Sequence, residues 1–227
     1  MKVIVDFSII FYKFFHVLDT YAEIEKEVLS KLIGIQMDLG VFNTMTLAID
    51  LGGSWRTDIY PDYKGNRPND EKKQRARMWY HVLVDVLAKE YDVIGLEGLE
   101  ADDICYLFAC KYDCVVVSED GDLEQLTAIE NTKLWKPFKR VFYVGDAYFS
   151  ILTKIIFGDD SDNIPRVAPK GYGPVSFKEI YFKTGKDINK VAVEMGLDIE
   201  KVKHNMELIY FSHDILDKHF ENLENLL

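Results

Sequence analysis

The sequence predicts an α/β fold with a mainly parallel sheet, followed by a region that is helical throughout. Three observations carry this prediction. Short apolar runs recur at Val3-Ile4-Val5, Leu47-Ala48-Ile49 and Val115-Val116-Val117, and uninterrupted apolar runs suit strands covered on both faces. Helical periodicity lies between them, over Tyr21 to Leu39 and Lys72 to Glu90, and strand–helix alternation argues for parallel strands joined by crossover helices. After about residue 145 no strand pattern remains, which sets a boundary between a sheet-bearing domain, 1–145, and a helical region, 146–227.

The first run ends in Asp6. The stretch to Leu18 is apolar, but Asp6 and Lys13 interrupt it and no small-residue cleavage site follows, so it does not read as a secretory leader. The second run ends in Asp50 and opens on a loop, 51–68, that carries Arg56, Tyr63, Lys64 and Arg67; its glycines and prolines exclude it from the core. A helix over 72–90 and a strand near 93–96 follow. Leu99-Glu100-Ala101-Asp102-Asp103 then heads an apolar run, Ile104 to Ala109, and acids in the first turn of a helix are favoured by its dipole. The third run leads into Ser118-Glu119-Asp120-Gly121-Asp122. Asp146 to Phe157 reads as an amphipathic helix, with GDDSDNIP after it at 158–165. Gly171 and Gly173 allow a tight hairpin, and Pro174 suits the first position of the next helix. A helix start of this kind points N–H groups towards a phosphate, although a plain turn is the simpler reading of a lone G-x-G.

The placement of the acids points beyond capping. In parallel sheets the functional crevice lies at the carboxyl ends of the strands, and Asp6, Asp50 and Asp120 all fall there. Glu100, Asp102 and Asp103 repel one another unless a cation sits among them. A shared cation site therefore explains the set better than helix capping does. Asp159 and Asp162, three apart, are placed to join it. Lys64 and Arg67 suit a phosphate that the carboxylates would otherwise repel.

Composition narrows the function classes. A chain of 227 residues, 48% hydrophobic, buries a sizeable core, and no apolar run reaches the roughly 18 residues that span a bilayer. Cys105, Cys110 and Cys114 lack C-x-x-C spacing and read as buried, reduced thiols of a cytosolic protein. The five histidines form no zinc pattern. A net charge of −11 argues at first against nucleic acid. The charge is uneven, however: residues 64–77 hold six Lys/Arg against Asp70 and Glu71, and residues 131–140 hold four and no acid. An acidic pole with basic stripes is what a metal-using nuclease needs.

VIVD at 3–6, IDLGGSWR at 49–56, YPDYKGNRP at 60–68, LEADD at 99–103, SEDGDLEQL at 118–126 and GDDSDNIP at 158–165 occur in this order. Together they resemble the signature blocks of the 5′ nucleases, the superfamily of flap endonucleases and 5′–3′ exonucleases that includes bacterial polymerase domains and their phage relatives. The resemblance implies a PIN-like mainly parallel sheet flanked by helices, then a helix–three-turn–helix DNA-binding element. It implies divalent-metal-dependent hydrolysis of phosphodiesters near the 5′ end of a DNA strand, in replication or repair. It assigns Asp6, Asp50, Glu100, Asp102 and Asp103 to one metal, and Asp120, Asp122, Asp159 and Asp162 to another. It gives Lys64 and Arg67 a catalytic place on the phosphate, Tyr63 a base to stack on, and Lys13, Arg56, Lys170, Gly171 and Gly173 a place in DNA contact. The implied cofactors are two or more Mg²⁺, with Mn²⁺ as substitute, and K⁺ at the hairpin carbonyls. The implied partners are DNA with a 5′ end, flap or nick, and an RNA–DNA hybrid, met by a monomer in a bacterial or phage-infected cytoplasm; nothing in the sequence supports a replication polymerase as a further partner. Mg²⁺ is a hard ion that keeps several waters, so many acids can serve it; two ions about 4 Å apart generate hydroxide and stabilise an in-line transition state.

The sequence departs from the family pattern in its hairpin, NIPRVAPKGYG, which is two residues longer than the usual NIPGVPGIG, and in Val175, where a Lys is common. Only 32 residues, 68–99, separate Arg67 from Glu100. One helix and one strand use nearly all of them, so a full helical arch is not expected, and Lys72, Lys73, Arg75 and Arg77 line an open groove for the 5′ strand. Two other readings meet the same residues. A PIN-type ribonuclease shares the strand-end acids but needs neither YKGNR nor the hairpin. A DNA-structure-binding module with a disabled site would lack some of the nine acids, and none is missing.

Overall fold

The computed structural model describes residues 2–41 and 45–212, and these fall into two compact units. One is built on residues up to Ser54 together with Pro68–Val144, the other on Trp55–Arg67 together with Gly145–Ser212. In chain order the elements are β1 (Lys2–Asp6), α1 (Phe7–Phe15), α2 (Tyr21–Leu39), β2 (Met45–Ala48), α3 (Arg56–Ile59), α4 (Glu71–Leu87), β3 (Asp92–Ile94), α5 (Ala101–Lys111), β4 (Cys114–Val117), β5 (Thr132–Lys136), β6 (Val141–Phe142), α6 (Ala147–Phe157), α7 (Pro174–Lys183), α8 (Ile188–Met195) and α9 (Ile199–Ile209).

The first unit holds a six-stranded sheet in the order β3-β2-β1-β4-β5-β6. Its first five strands run parallel, and β6 returns antiparallel on β5. Val3, Ile4 and Val5 of β1 and Val115, Val116 and Val117 of β4 are fully buried, because helices cover both faces of a parallel sheet. The chain moves outward from β1 through β2 to β3 and then returns to β4 on the other side of β1. The carboxyl ends of β1 and β4 therefore flank the point where strand order reverses, where such sheets form their crevice.

Helix α2 starts at a capping box, with the Glu23 amide on Thr20 Oγ1 and the Thr20 amide on Glu23 Oε2, and ends at Gly40 in the left-handed region. Helix α4 starts at Asp70, whose carboxylate accepts from Lys73 N at 2.8 Å, and each such cap contributes about 1 kcal/mol. From Ala76 onward α4 buries Ala76, Tyr80, Leu83, Val84 and Leu87, so it belongs to the core cover. Strands β5 and β6 are not anticipated by the sequence pattern. Residues 131–140 read there as a basic stripe, yet Lys136 is buried within β5 and Arg140 pairs with Asp38. Charged residues on a short edge element hide its period.

The second unit packs α6, α7, α8 and α9 around Ile155, Ile156, Phe177, Tyr181, Val191 and Val202. The sequence boundary at 145 leaves residues 55–67 with the sheet, whereas the structure clusters them with the helices. The reason is a seam of hydrogen bonds: Lys64 N to Asp162 O (2.9 Å), Asn66 Nδ2 to Asp160 O (2.6 Å), Arg67 Nε to Ser161 O (3.1 Å) and Asn163 Nδ2 to Asp62 O (2.8 Å). The expected helical continuation over 213–227 lies outside the described residues. Among the described residues no helix is long and apolar enough to cross a membrane.

Candidate active site

Asp6 is the last residue of β1 and also caps α1, where Oδ1 accepts from Ile9 N at 3.3 Å. Its other oxygen accepts from Ser118 Oγ at 2.8 Å, across from the end of β4. Asp50 stands two residues beyond β2. Its Oδ1 accepts from Ala101 N, the first amide of α5, at 2.7 Å, and its Oδ2 accepts from Ser8 Oγ. Tyr80 of α4 accepts from the Asp50 amide at 3.0 Å and meets Ser8 Oγ at 3.0 Å. Glu100 precedes α5, and its amide donates to Asp103 Oδ2 at 3.0 Å. Helix capping thus accounts for part of these carboxylates: Asp6, Asp50 and Asp103 each satisfy helix-start amides that would otherwise lack partners.

Capping does not account for their crowding. Glu100, Asp102 and Asp103 each offer an oxygen within 4.8 Å of the others'. Burial, then the charges of Asp120 and Asp50, push the Asp6 carboxyl up to about 7, and only hydrogen bonds from Ser118 and Ile9 oppose that rise. A donor set made wholly of carboxylate oxygens at Glu100, Asp102 and Asp103 fits a hard divalent ion, and Asp6, raised first by burial and then by Asp120 and Asp50, is a further carboxylate that a cation would relieve.

Asp120 lies on the loop after β4, and Asp122 opens the short 3-10 helix that follows, Asp122–Ala128. Ser118 Oγ accepts the Asp120 amide at 3.0 Å while donating to Asp6, and Asp120 Oδ1 accepts the Asp122 amide at 2.9 Å. The loop is clamped from β5. Lys136 Nζ donates to Asp120 O at 3.0 Å and Glu119 O at 3.4 Å and pairs with Glu124 at 3.2 Å. The Phe138 amide donates to Glu119 Oε1 at 2.8 Å. The sequence reading missed Ser8, Tyr80, Ser118 and Lys136; a serine between a buried strand and an acidic turn was the only available signal.

Within the second unit, Asp162 meets Arg67 at 2.6 Å and Lys64 at 3.8 Å, and its Oδ2 accepts from Tyr63 Oη at 2.9 Å. Asp159 pairs with Lys154 at 2.8 Å and accepts from Ser161 N and Oγ. Burial pushes its carboxyl up, but Lys154 and Ser161 outweigh that and hold it below the usual range. Lys64 adopts a positive φ of 54°, and Gly158 is required because a Cβ there would lie 2.5 Å from Ile164 O. Tyr63 is buried with its hydroxyl on Asp162, so it offers no open ring to a base. Arg56 is buried likewise and donates from Nε to Leu208 O at 2.8 Å, which makes it a brace for α9 and not a DNA contact.

The remaining basic residues are surface groups. Lys13, Lys72, Arg75 and Arg77 are exposed in the first unit and Lys73 is half-buried; Lys170 and Gly171 are exposed in the second and Gly173 is half-buried. The hairpin does not fit the K⁺ expected there, because the Arg166 guanidinium donates to the carbonyls of Ala168, Pro169 and Tyr172. Cys105, Cys110 and Cys114 are free thiols, and burial pushes Cys114 up to about 12.

Comparison with known proteins bears on the family and the fold. The family model for the 5′-3′ exonuclease N-terminal, resolvase-like domain matches residues 1–151. A ribonuclease H of Enterobacteria phage T4 is 29% identical over 144 residues, 56% of this chain and 47% of that one, so the match spans about half the length of that relative. The D15 protein of phage T5, crystallised with metal ions, has a TM-score of 0.74 at 19% identity, covering 99% of this chain and 98% of that one. The catalytic core of Rad2 in complex with a DNA substrate has a TM-score of 0.55 at 17% identity, covering 99% and 73%. At these identities the structural likeness is one of fold.

Proposed function

This chain belongs to the 5′–3′ exonuclease family that carries the N-terminal resolvase-like domain, and on that premise we propose that it is a Mg²⁺-dependent 5′ nuclease of DNA. The observation that carries the proposal is the set of carboxylates at the ends of β1 and β2, at the start of α5 and on the loop after β4, with Asp6 raised by burial, Asp120 and Asp50. Asp6, Asp50, Glu100, Asp102 and Asp103 would hold one ion, with Asp120 and Asp122 available to a second. Two divalent ions supply water activation and charge neutralisation for in-line displacement at phosphorus. The protein's own part is positional. Ser118 fixes the Asp6 oxygen, the α5 amide fixes Asp50, and Lys136 fixes the loop that carries Asp120 and leads into Asp122. Lys64 and Arg67, paired with Asp162 in the second unit, are cations suited to a phosphate, a role that rests on the sequence resemblance. A role for Asp159 and Asp162 towards an ion rests on the sequence resemblance.

The substrate follows from the same family. DNA with a free 5′ end, flap or nick is the reading favoured, acted on by a monomer in a bacterial or phage-infected cytoplasm. A second reading, the RNA strand of an RNA–DNA hybrid, is favoured by the phage T4 relative being a ribonuclease H. Mapping the products of 5′-labelled flap DNA, of the matching hybrid and of single-stranded RNA, with Mg²⁺ or with chelator, tests both. Mononucleotide products mean exonuclease and junction-length products mean flap endonuclease. Cutting of single-stranded RNA alone, or equal cutting in chelator, would overturn the proposal.

A further inference from the structure

The hairpin between α6 and α7 spends several of its carbonyls on two side chains, the buried Asn205 and the exposed Arg166. After α6 the chain doubles back so that Val167 N and Ala168 N donate to Ile156 O, at 3.0 and 2.8 Å. Asn205, buried on α9, donates from Nδ2 to both Ile155 O and Pro165 O at 2.8 Å. The next three carbonyls in use belong to Ala168, Pro169 and Tyr172, and the Arg166 guanidinium reaches all of them: Nε at 3.0 Å, then Nη2 at 3.4 and 2.6 Å. Its plane lies over the Phe157 ring, 4.8 Å from the centroid. Carbonyls converging on one positive charge make the arrangement that binds a bare monovalent cation. Here the charge is a side chain, and a second cation added about 4 Å away would be repelled by it.

We infer that Arg166 takes the place of a bound monovalent ion and holds the hairpin in shape for its phosphate contact. The contact surface it shapes is the exposed turn at Lys170 and Gly171, leading into α7 through Gly173 and Pro174. Guanidinium is planar, always charged and able to donate in several directions at once, which suits three carbonyls better than an ammonium would. The two additional residues of the hairpin give the loop length to wrap around it. The DNA contact rests on the function proposed above, but the cation replacement does not, since it is a property of the fold.

Two measurements test the inference, one of them without DNA. Thermal melting is followed in potassium, sodium and tetramethylammonium chloride at equal ionic strength, and 5′-flap DNA binding is followed by anisotropy in the same salts with chelator present. For the wild type, melting temperature and dissociation constant are expected to be the same in all three salts within about twofold in affinity, because at equal ionic strength counterion release is equal. Arg166→Met is expected to melt lower and bind about tenfold more weakly in tetramethylammonium, in line with the loss of hydrogen bonds from a charged donor, and to recover in part in potassium. Arg166→Lys, which keeps the charge with fewer donors, is expected to weaken binding without acquiring a potassium preference, and it serves if the methionine variant does not fold. A wild type that is stabilised by potassium, or an Arg166→Met protein identical to wild type in every salt, overturns the inference. If the melting pattern holds while DNA binds in no salt, the cation replacement stands, and the phosphate contact falls together with the nuclease function.

Discussion

Ser118 and Asp6 join the ends of β4 and β1 through a 2.8 Å hydrogen bond, and the same serine oxygen accepts the Asp120 amide at 3.0 Å. One hydroxyl therefore sets the spacing of two acids that repel each other. The consequence is visible in Asp6, whose carboxyl is pushed up to about 7 by burial, then by Asp120 and Asp50.

That shift predicts a pH dependence. The folded carboxyl releases its proton near pH 7 and the unfolded one near 3.8, so folding is favoured fully below pH 4 and the advantage is lost as the pH rises towards 7. The loss amounts to no more than about 4 kcal/mol. In chelator, the melting temperature should fall between pH 4 and 7, and Asp6→Asn should flatten that fall and melt higher at pH 8. An unchanged slope in the variant would show that other groups carry it.

Asp102 sits half-buried, with Glu100 and Asp103 offering oxygens within 4.8 Å. Asp102→Asn is expected to lower flap cleavage at least about a hundredfold, as removal of a group that serves the transition state does, while circular dichroism and melting in chelator stay at or above wild type because a repulsion is removed. Asp103→Ala should behave differently. It deletes the acceptor for the Glu100 amide and should destabilise the fold by about 1 kcal/mol or more. Wild-type turnover in Asp102→Asn would remove that residue from the site.

Lys64 and Arg67 share Asp162 as their counter-charge. Alanine at either position is expected to lower single-turnover cleavage about tenfold to a hundredfold while changing DNA affinity less than about threefold, the signature of a contact that strengthens in the transition state. A rise in the dissociation constant with turnover unchanged would make them backbone-positioning contacts instead.

Lys136 is a buried cation that the sequence reading placed on a surface stripe. Its bonds to Glu119 O, Asp120 O and Glu124 hold the acidic loop against β5. Lys136→Met should destabilise the protein by about 1–3 kcal/mol, the cost of leaving buried groups unsatisfied, and weaken Mn²⁺ binding measured by calorimetry. Tighter Mn²⁺ binding would mean that the lysine acts only by charge repulsion and not by holding the loop.

Helix α4 begins at Glu71, and from Ala76 its inner face is buried in the core. With 17 of the 32 residues 68–99 in α4 and three in β3, and with α4 held to the core by its inner face, a threading arch is not expected. Cleavage of a long flap should tolerate a bulky 5′ block and should fall steeply with added salt, since Lys72, Lys73, Arg75 and Arg77 act by charge. Complete inhibition by the block, with DNA still bound, would mean that the 5′ strand threads.

The sequence by itself determined the parallel sheet, because apolar runs without alternation are stable only when covered on both faces, and β1, β2 and β4 all begin within two residues of the runs that predict them. It also placed Asp6, Asp50 and Asp120 near one another, because they follow strands whose ends a parallel sheet brings together, but it gave no sign of the Lys154, Arg67 and Lys64 pairs that hold Asp159 and Asp162. It could not assign residues 55–67 to the helical unit, since that depends on amide and carbonyl bonds to residues 160–163 that leave no composition signal. Nor could it tell Tyr63 and Arg56 from exposed contacts, or Lys136 from surface charge, or show that the exposed Arg166 spends its donors on three hairpin carbonyls. A cation reads the same in a sequence whether water or a carbonyl surrounds it, and only the packing of β5 against the acidic loop and of the hairpin against α6 decided which it is.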